Sequence, residues 1–115
     1  MKTMRIHRLK IDPAPLAALI SRRKTAEVRK ADRDFAIGDE LFVYEFLRSE
    51  GTGFTGSYAQ LKVTDIVLPG EYGLPPRLLV GGSPICVMSV TLIGYGRLPA
   101  LTAEQIYTAG QPIDP

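Results

Sequence analysis

The sequence predicts an α+β protein: a small mixed or antiparallel β-barrel with one main helix between the first two strands. Two observations predict this fold class. Only one early segment clearly has the apolar spacing that a helix needs, and several strand-like segments follow it without regular crossover helices. The chain has 115 residues, of which 45% are hydrophobic, so it can form one globular domain with its own core.

The chain begins with a predicted strand over residues 4–11 and a helix over residues 13–22. Asp12 is expected to cap free amide groups of this helix, and the proline that follows it fits the first turn, where its missing N–H costs nothing. Leu16 and Leu19 lie at helical spacing. One face of the helix should therefore pack on the sheet.

From Thr25 the apolar period changes to two residues, which predicts the second strand. Glu27 and Arg29 lie on its polar face together with Thr25, and Val28 lies on the other face. A loop over residues 30–39 follows. This strand should present a row of polar side chains to whatever lies above it.

Three further strands are predicted, over residues 40–47, 57–67 and 85–93. The last of them is almost entirely apolar and is best placed in the middle of the sheet. Two irregular segments separate these strands. One is a glycine-rich connection, and the other is a longer excursion with four prolines and four glycines, over residues 50–56 and 69–84 respectively.

The end of the chain carries a weaker pattern. Thr102 with Gln105 can cap a single helical turn. The sequence therefore predicts a domain over residues 1–98 and a loosely attached tail over residues 99–115.

Charge is distributed unevenly along the chain. The first 33 residues carry ten bases and three acids, a net charge of +7, and the remaining residues have a net charge of −5. Such a division can form a basic face that attracts phosphate groups, or the charges can be dispersed over a solvated surface. The sequence leaves both interpretations open.

Several classes of protein are excluded by what the sequence lacks. It has no apolar run near the ~20 residues of a membrane span, no Walker motif, no dinucleotide fingerprint and no nucleophile elbow. Cys86 is the only cysteine, so an intrachain disulfide or a Cys-based zinc cluster cannot form. Together with the absence of an apolar leader at the start, this predicts a cytoplasmic protein without a metal or cofactor.

The residues around the second strand carry a family resemblance. Lys24, Glu27 and Arg29 have the spacing Lys-x-x-Glu-x-Arg directly after a predicted helix, and a Gly-Asp pair opens the next strand. With these motifs the chain resembles the ASCH domain, the activating-signal-cointegrator homology branch of the PUA-like superfamily. The resemblance covers about residues 4–93.

The similarity is closer to a small bacterial and phage subgroup that is described only as a domain of unknown function. That subgroup carries His-x-Leu-Lys-Ile, Arg-Lys-Asn-Asp-Arg-x-Phe and an aromatic-Thr-Gly motif, which are similar to residues 7–11, 29–35 and 54–56 here. Two positions differ. Ala31 replaces the asparagine, and Arg22 stands where ASCH domains have the glycine of Gly-x-Lys.

The resemblance implies a PUA-like barrel with a pocket between helix and sheet, suited to RNA or to a nucleotide-like ligand. One small ASCH member is an amidohydrolase that acts on N4-acetylcytidine with a catalytic Lys, Thr and Glu. Lys24 falls at that Lys, Glu27 falls at that Thr, and the third residue has no counterpart. An RNA- or nucleotide-binding module is therefore the first hypothesis, with a small amidohydrolase using Lys24 and Glu27 as the alternative and a protein-interaction adaptor as the second alternative.

The chemistry of the polar strand supports more than one role. Glu27 and Arg29 are about 7 Å apart at Cα, so they can hold a ligand jointly or pair with each other. A carboxylate accepts hydrogen bonds from the amino group of a base, and a guanidinium binds a phosphate or carbonyl. A surface ion pair, in contrast, would contribute less than ~1 kcal/mol. Lys24 is either a phosphate or carbonyl contact, a general base if desolvated, or simply a cation near a helix end.

Other polar residues complete the prediction. Lys10, Lys30 and Arg33 are expected to add positive potential at the rim of the pocket. His7 shares its strand face with apolar residues, so a buried structural role is favoured over a catalytic one. The aromatic residues of the strands are expected mostly in the core, although some could stack on bases. The predicted partner is RNA or a nucleotide-like ligand, and the oligomeric state stays open.

Overall fold

The computed structural model describes residues 3–48, 53–80 and 82–110. Six strands and two helices follow one another within these ranges. They are β1 (Ile6–Ile11), α1 (Pro13–Ile20), β2 (Ala26–Lys30), β3 (Glu40–Leu47), β4 (Gly53–Val67), β5 (Leu79–Val80), β6 (Ser83–Arg97) and α2 (Ala100–Gly110). None of the helices described is long and apolar enough to cross a membrane.

The strands form one mixed sheet that curls into a half-barrel, with the order β1-β3-β4-β6-β2 and with β5 paired to β6. Strands β1 and β3 are parallel, and the other pairs are antiparallel. The predicted α+β barrel is confirmed. The predicted apolar strand lies within β6, in the interior of the sheet between β4 and β2. The two ends of the sheet are β1 and β2, which contain most of the predicted site residues.

Both faces of the sheet are buried where helices cover them. Leu16 and Leu19 of α1 are buried in the main core together with Val43 of β3. The next residue of β3, Tyr44, points to the opposite face, because successive side chains of a strand alternate. Tyr44 is also buried, in a second cluster with Tyr107 of α2.

Helix α2 differs from the expectation of a single helical turn. It spans eleven residues, and its Ala103 and Tyr107 are buried against the aromatic side chains of β3 and β4. The ring of Tyr107 lies 5.1 Å from the ring of Phe54 and 6.2 Å from that of Tyr44. This confirms that these aromatic residues belong to the core. Residues 111–115 of the predicted tail lie outside the described residues.

Buried polar contacts hold β1 to the start of β3. His7 and Asp39 are 4% and 1% exposed, and His7 Nε2 lies 2.8 Å from Asp39 Oδ2. The carboxylate also accepts hydrogen bonds from the backbone amides of Arg5 and Ala36. Burial alone would raise the pKa of Asp39, but the hydrogen bonds from His7 and these amides outweigh it and lower the pKa below its ordinary value. The predicted structural role of His7 is confirmed.

The start of α1 differs from its prediction. Asp12 occupies the N-cap position, but its side chain forms no capping hydrogen bond. Its Oδ1 instead accepts a hydrogen bond from Arg48 Nε at 3.0 Å. A cap is only a local preference, and here a cation from the end of β3 competes for the same carboxylate.

The end of α1 shows why glycine is suited to the position of Arg22, where the ASCH motif Gly-x-Lys has its glycine. The helix stops at Ile20, two residues before the predicted end, and Arg22 has a φ of 64°, in the left-handed region. A side chain in this conformation costs roughly 1–2 kcal/mol, which glycine avoids.

We therefore expect Arg22→Gly to raise the free energy of unfolding by about 0.5–1 kcal/mol, measured by urea denaturation. Arg23→Gly serves as the control. Arg23 does not have a positive φ, so glycine there should leave stability unchanged or lower it. Equal effects of the two substitutions would show that the left-handed backbone at Arg22 carries no strain.

Candidate ligand-binding site

The site lies at the seam of the half-barrel, where the free edges of β1 and β2 approach each other. Arg29 Nη2 in β2 donates a hydrogen bond of 2.9 Å to the backbone carbonyl of Lys10 in β1. This single side chain therefore bridges two strands that form no backbone ladder with each other. Clefts open on both sides of the bridge, and Arg29 lines both of them.

Glu27 is the buried centre of the site. Only 3% of the residue is exposed, and its two carboxylate oxygens contact different cations. Oε1 accepts a hydrogen bond from Lys24 Nζ at 2.5 Å, and Oε2 accepts one from Arg29 Nε at 2.9 Å. Glu27 and Arg29 therefore do not form the weak surface ion pair that was one interpretation of the sequence. Glu27 is instead a buried carboxylate between two cations. Losing either cation would leave its charge poorly compensated.

The local sequence explains this geometry. The chain leaves α1 through the left-handed turn at Arg22, and the Lys24 amide then donates to the carbonyl of Ala18, which fixes Lys24 beside the helix end. In β2 the polar Glu27 points inward, whereas the apolar Val28 is 53% exposed. In most strands the apolar side chains point inward, and β2 shows the opposite arrangement. It is tolerated because the ion pairs compensate the buried charge of Glu27.

The first cleft, which we call the ion-pair cleft, has a volume of about 340 Å³. It lies between the beginning of α1, the end of β1 and the inward face of β2. Its charged lining consists of Lys24, Glu27, Arg29, Asp12 and Arg48, together with Lys10. The side chains of Lys24, Arg29 and Arg48 face the two carboxylates, which gives the cleft a positive excess that favours an anionic or electron-rich ligand.

The second cleft, which we call the loop cleft, has a volume of about 200 Å³ and lies on the other side of Arg29. Lys30, Asp32 and Arg33 supply its polar lining, and Phe35 contributes an apolar wall. The Arg33 guanidinium carbon lies 5.8 Å from the centre of the Phe35 ring, and its Nε lies 4.0 Å from Asp32 Oδ1. The guanidinium is thus held at the cleft wall.

The predicted site residues divide between these clefts. Lys24, Glu27 and Arg29 meet in the ion-pair cleft, whereas Lys30 and Arg33 line the loop cleft.

Lys10 lines the ion-pair cleft, but its Nζ lies 4.3 Å from the Phe46 ring centre and 5.8 Å from that of Tyr107. Its ammonium is thus directed to the aromatic cluster under α2. The cause is strand alternation, since Leu9 and Ile11 on either side point into the core.

Two charged residues of the ion-pair cleft, Asp12 and Arg48, are not among the predicted site residues. Asp12 was expected to cap α1, and Arg48, which follows β3, carried no motif. Only the approach of the end of β3 to the start of α1 brings them together. Among the residues of the three described ranges, no three His, Cys, Asp or Glu side chains form a group that could hold a metal ion.

The ion-pair cleft combines hydrogen-bond acceptors and donors at one point. Each oxygen of Glu27 accepts one hydrogen bond and keeps a lone pair for a ligand. A guanidinium has five N–H groups, and the bonds of Arg29 to Glu27 and Lys10 use two of them. An amino group and a carbonyl or phosphate oxygen of one ligand can therefore bind side by side.

Comparison with known proteins places these features in a family context. A family model described as "Domain of unknown function (DUF3850)" matches residues 6–82. No curated protein matches the chain. Two crystal structures of mutants of ZmASCH from Zymomonas mobilis are similar, each covering 95% of this chain. The serine-to-alanine mutant has a TM-score of 0.60 and a sequence identity of 16%, and 84% of its own chain is covered. The tyrosine-to-phenylalanine mutant has a TM-score of 0.53 and a sequence identity of 17%, and 86% of its own chain is covered. These likenesses confirm the predicted ASCH-type fold.

Proposed function

Because the chain belongs to the DUF3850 family of domains of unknown function and has an ASCH-type fold, we propose that it is an RNA- or nucleotide-binding module. The ligand would lie in the ion-pair cleft. The observation that carries this proposal is the buried carboxylate of Glu27, held between Lys24 and Arg29 at the wall of an open, positively charged cleft. Burying a charge costs desolvation free energy. A role in ligand recognition would explain why a buried carboxylate is kept beside an open cleft.

A nucleotide fits the polar groups of this cleft. The carboxylate can accept from the exocyclic amino group of a base, and the guanidinium of Arg29 can donate to a carbonyl or phosphate oxygen. A volume of about 340 Å³ lies within the range of small-ligand sites. Arg48, half exposed at the rim, is positioned to contact a phosphate group.

Binding is favoured over catalysis by the state of Glu27. The ASCH amidohydrolase that acts on N4-acetylcytidine has a threonine hydroxyl at this position. Here a carboxylate is held by two cations instead. Both carboxylate oxygens are oriented by hydrogen bonds from these cations, which suits the group to accept hydrogen bonds from a ligand. We therefore assign Lys24, Glu27 and Arg29 to ligand recognition.

Titration of cytidine 5′-monophosphate and of a short single-stranded RNA tests this proposal. Glu27→Gln keeps one carbonyl oxygen but loses the charge, so binding should weaken by about 1–3 kcal/mol in calorimetry. Glu104→Gln is the control, since Glu104 is exposed on α2, outside both clefts. Unchanged affinity in Glu27→Gln, or no binding by the wild type, would contradict the assignment and favour the adaptor.

A hydrolysis assay with N4-acetylcytidine separates binding from catalysis. We expect no turnover by the wild type. If turnover occurs and falls ~10²–10⁴-fold in both Glu27→Gln and Lys24→Ala, these residues act in proton transfer and the protein is the amidohydrolase.

The salt dependence of RNA binding tests the loop cleft. Each phosphate contact with a single strand contributes about −0.7 to the slope of log K against log salt. Replacing both Lys30 and Arg33 with Ala should make this slope shallower by roughly one to two units. Arg77→Ala, an exposed cation of the excursion, should leave it unchanged. A slope that does not respond to the double substitution would place the phosphate groups elsewhere.

A further inference from the structure

The end of β6 has a backbone edge that no described strand covers. Strand β2 pairs with β6 only from Ile85 to Ser89, and one further hydrogen bond joins the Val90 amide to the Thr25 carbonyl. Residues 91–97, which we call the β6 edge segment, pair with β4 on their other side, except at Ile93, where the register shifts. Within the described ranges, no backbone hydrogen bond reaches their free side. The segment therefore offers the unpaired groups that an added strand needs.

A small apolar pocket lies at the beginning of this segment. It has a volume of about 150 Å³, and Leu19, Leu61, Val90 and Leu92 form its apolar wall. The pocket opens where the chain between α1 and β2 separates from β6. An aliphatic side chain of an added strand would fill this pocket, as side chains of the added strand occupy pockets in other cases of strand addition.

Cations surround the edge segment. Arg22 lines the pocket, Arg23 follows it in the chain, and Arg97 lies at the far end of the segment; all three are exposed. In the part of the chain that the structure describes, none of these guanidinium groups forms an ion pair. Their charge is complementary to an acidic partner.

The side chains of the segment also favour contact with another backbone. Ile93 and Tyr95 are 49% and 61% exposed. Gly94 has no positive φ, and a Cβ there would meet only Gln60 Oε1, at 3.9 Å. Internal packing thus does not require glycine at this position, and glycine there leaves room for another backbone to approach closely.

From these features we propose that the β6 edge segment binds an acidic peptide in extended conformation. The peptide adds to the sheet as a strand beside residues 91–97, places an aliphatic side chain in the apolar pocket and directs carboxylates towards Arg22 and Arg97. The unpaired backbone and the apolar pocket favour a peptide over a nucleic acid, which would use the cations alone. This inference does not depend on the ligand of the ion-pair cleft.

A second copy of the chain is a poor occupant of this edge. Antiparallel pairing of two edge segments about Gly94 would place Arg97 of one copy opposite Thr91 of the other. Thr91 and Arg22 line the same pocket, so two guanidinium groups would approach each other. Like charges at such a contact disfavour self-pairing.

Isotope-labelled protein titrated with the peptide Glu-Val-Glu-Val-Glu-Val-Glu tests the proposal by amide chemical shifts and hydrogen exchange. We expect shifts and new exchange protection in residues 91–97, and none from the peptide Lys-Val-Lys-Val-Lys-Val-Lys. Arg22→Glu and Arg97→Glu should each weaken binding by roughly three- to tenfold. Arg77→Glu, which makes the same charge change in the excursion, should not weaken it, and circular dichroism verifies that each variant is folded.

Other outcomes overturn the proposal. Shifts in the ion-pair cleft instead of residues 91–97, or equal binding of the lysine peptide, would show that the edge does not select an acidic strand. Protection of residues 91–97 by single-stranded RNA alone would assign the surface to nucleic acid. Protection that grows with protein concentration, together with a dimer in sedimentation velocity, would assign it to a second copy.

Discussion

Gly56→Ala is expected to lower the free energy of unfolding by roughly 3 kcal/mol or more. Gly56 has a φ of 103°, and a Cβ there would lie 1.7 Å from the backbone oxygen of Leu98. The Leu98 amide also donates a 2.8 Å hydrogen bond to the Gly56 carbonyl, so the chain between β6 and α2 cannot move away without losing it. Guanidinium denaturation measures the effect.

Gly73→Ala is the control for this prediction. Gly73 has a φ of 81°, but nothing lies within 4 Å of a Cβ placed there. Only the backbone cost should appear, about 1 kcal/mol. If the two substitutions destabilise equally, the close approach of Leu98 does not contribute. The aromatic-Thr-Gly motif then has another basis.

Removal of the Asp39 carboxylate should have a comparably large effect. Asp39→Ala leaves His7 and the amides of Arg5 and Ala36 without their acceptor in a buried position, so we expect a loss of about 3–5 kcal/mol of stability. Asp34→Ala is the matched control. Its ion pair with Arg5 is more than half exposed, so its loss should cost less than about 1 kcal/mol.

The same carboxylate predicts an acid dependence. The folded-state pKa of Asp39 is below its ordinary value of 3.8. Its stabilisation is therefore complete above that value and is lost as the pH falls from about 4 through the lower pKa of the folded state. In Asp39→Asn this part of the acid sensitivity should disappear, which urea titrations between pH 5 and pH 2 can measure. An unchanged acid dependence would contradict the lowered pKa.

Local patterns in the sequence predict most of the sheet. The strand β3 has its predicted bounds, and β6 takes the interior position expected of an apolar strand. Helix α2 is longer than its local pattern predicts, because among its described side chains Ala103, Ile106 and Tyr107 pack on the sheet. Their contribution depends on the aromatic face of β3 and β4, which a local pattern does not contain.

The candidate site was predictable to a different extent. The family spacing identified Lys24, Glu27 and Arg29, and the structure brings these three together. The direction of Glu27 was not predictable, since alternation assigns residues to faces without showing which face points inward. The pair of Asp12 and Arg48 joins residues far apart in the sequence, so no spacing rule could identify it.

The position of β2 in the sheet has a consequence for biosynthesis. Ala26 pairs with Ser89 and Lys30 with Ile85, so β2 has no backbone partner until the last strand of the sheet has been made. A nascent chain that ends before Ser83 therefore holds Lys24, Glu27 and Arg29 on an undocked segment, although all three are translated early. Pairing between segments so far apart in the sequence must overcome loop-closure entropy. We therefore expect β2 to pair with β6 late in folding. The ion-pair cleft is thus completed only after β6 has been made, and a chain that stops before Ser83 does not assemble it.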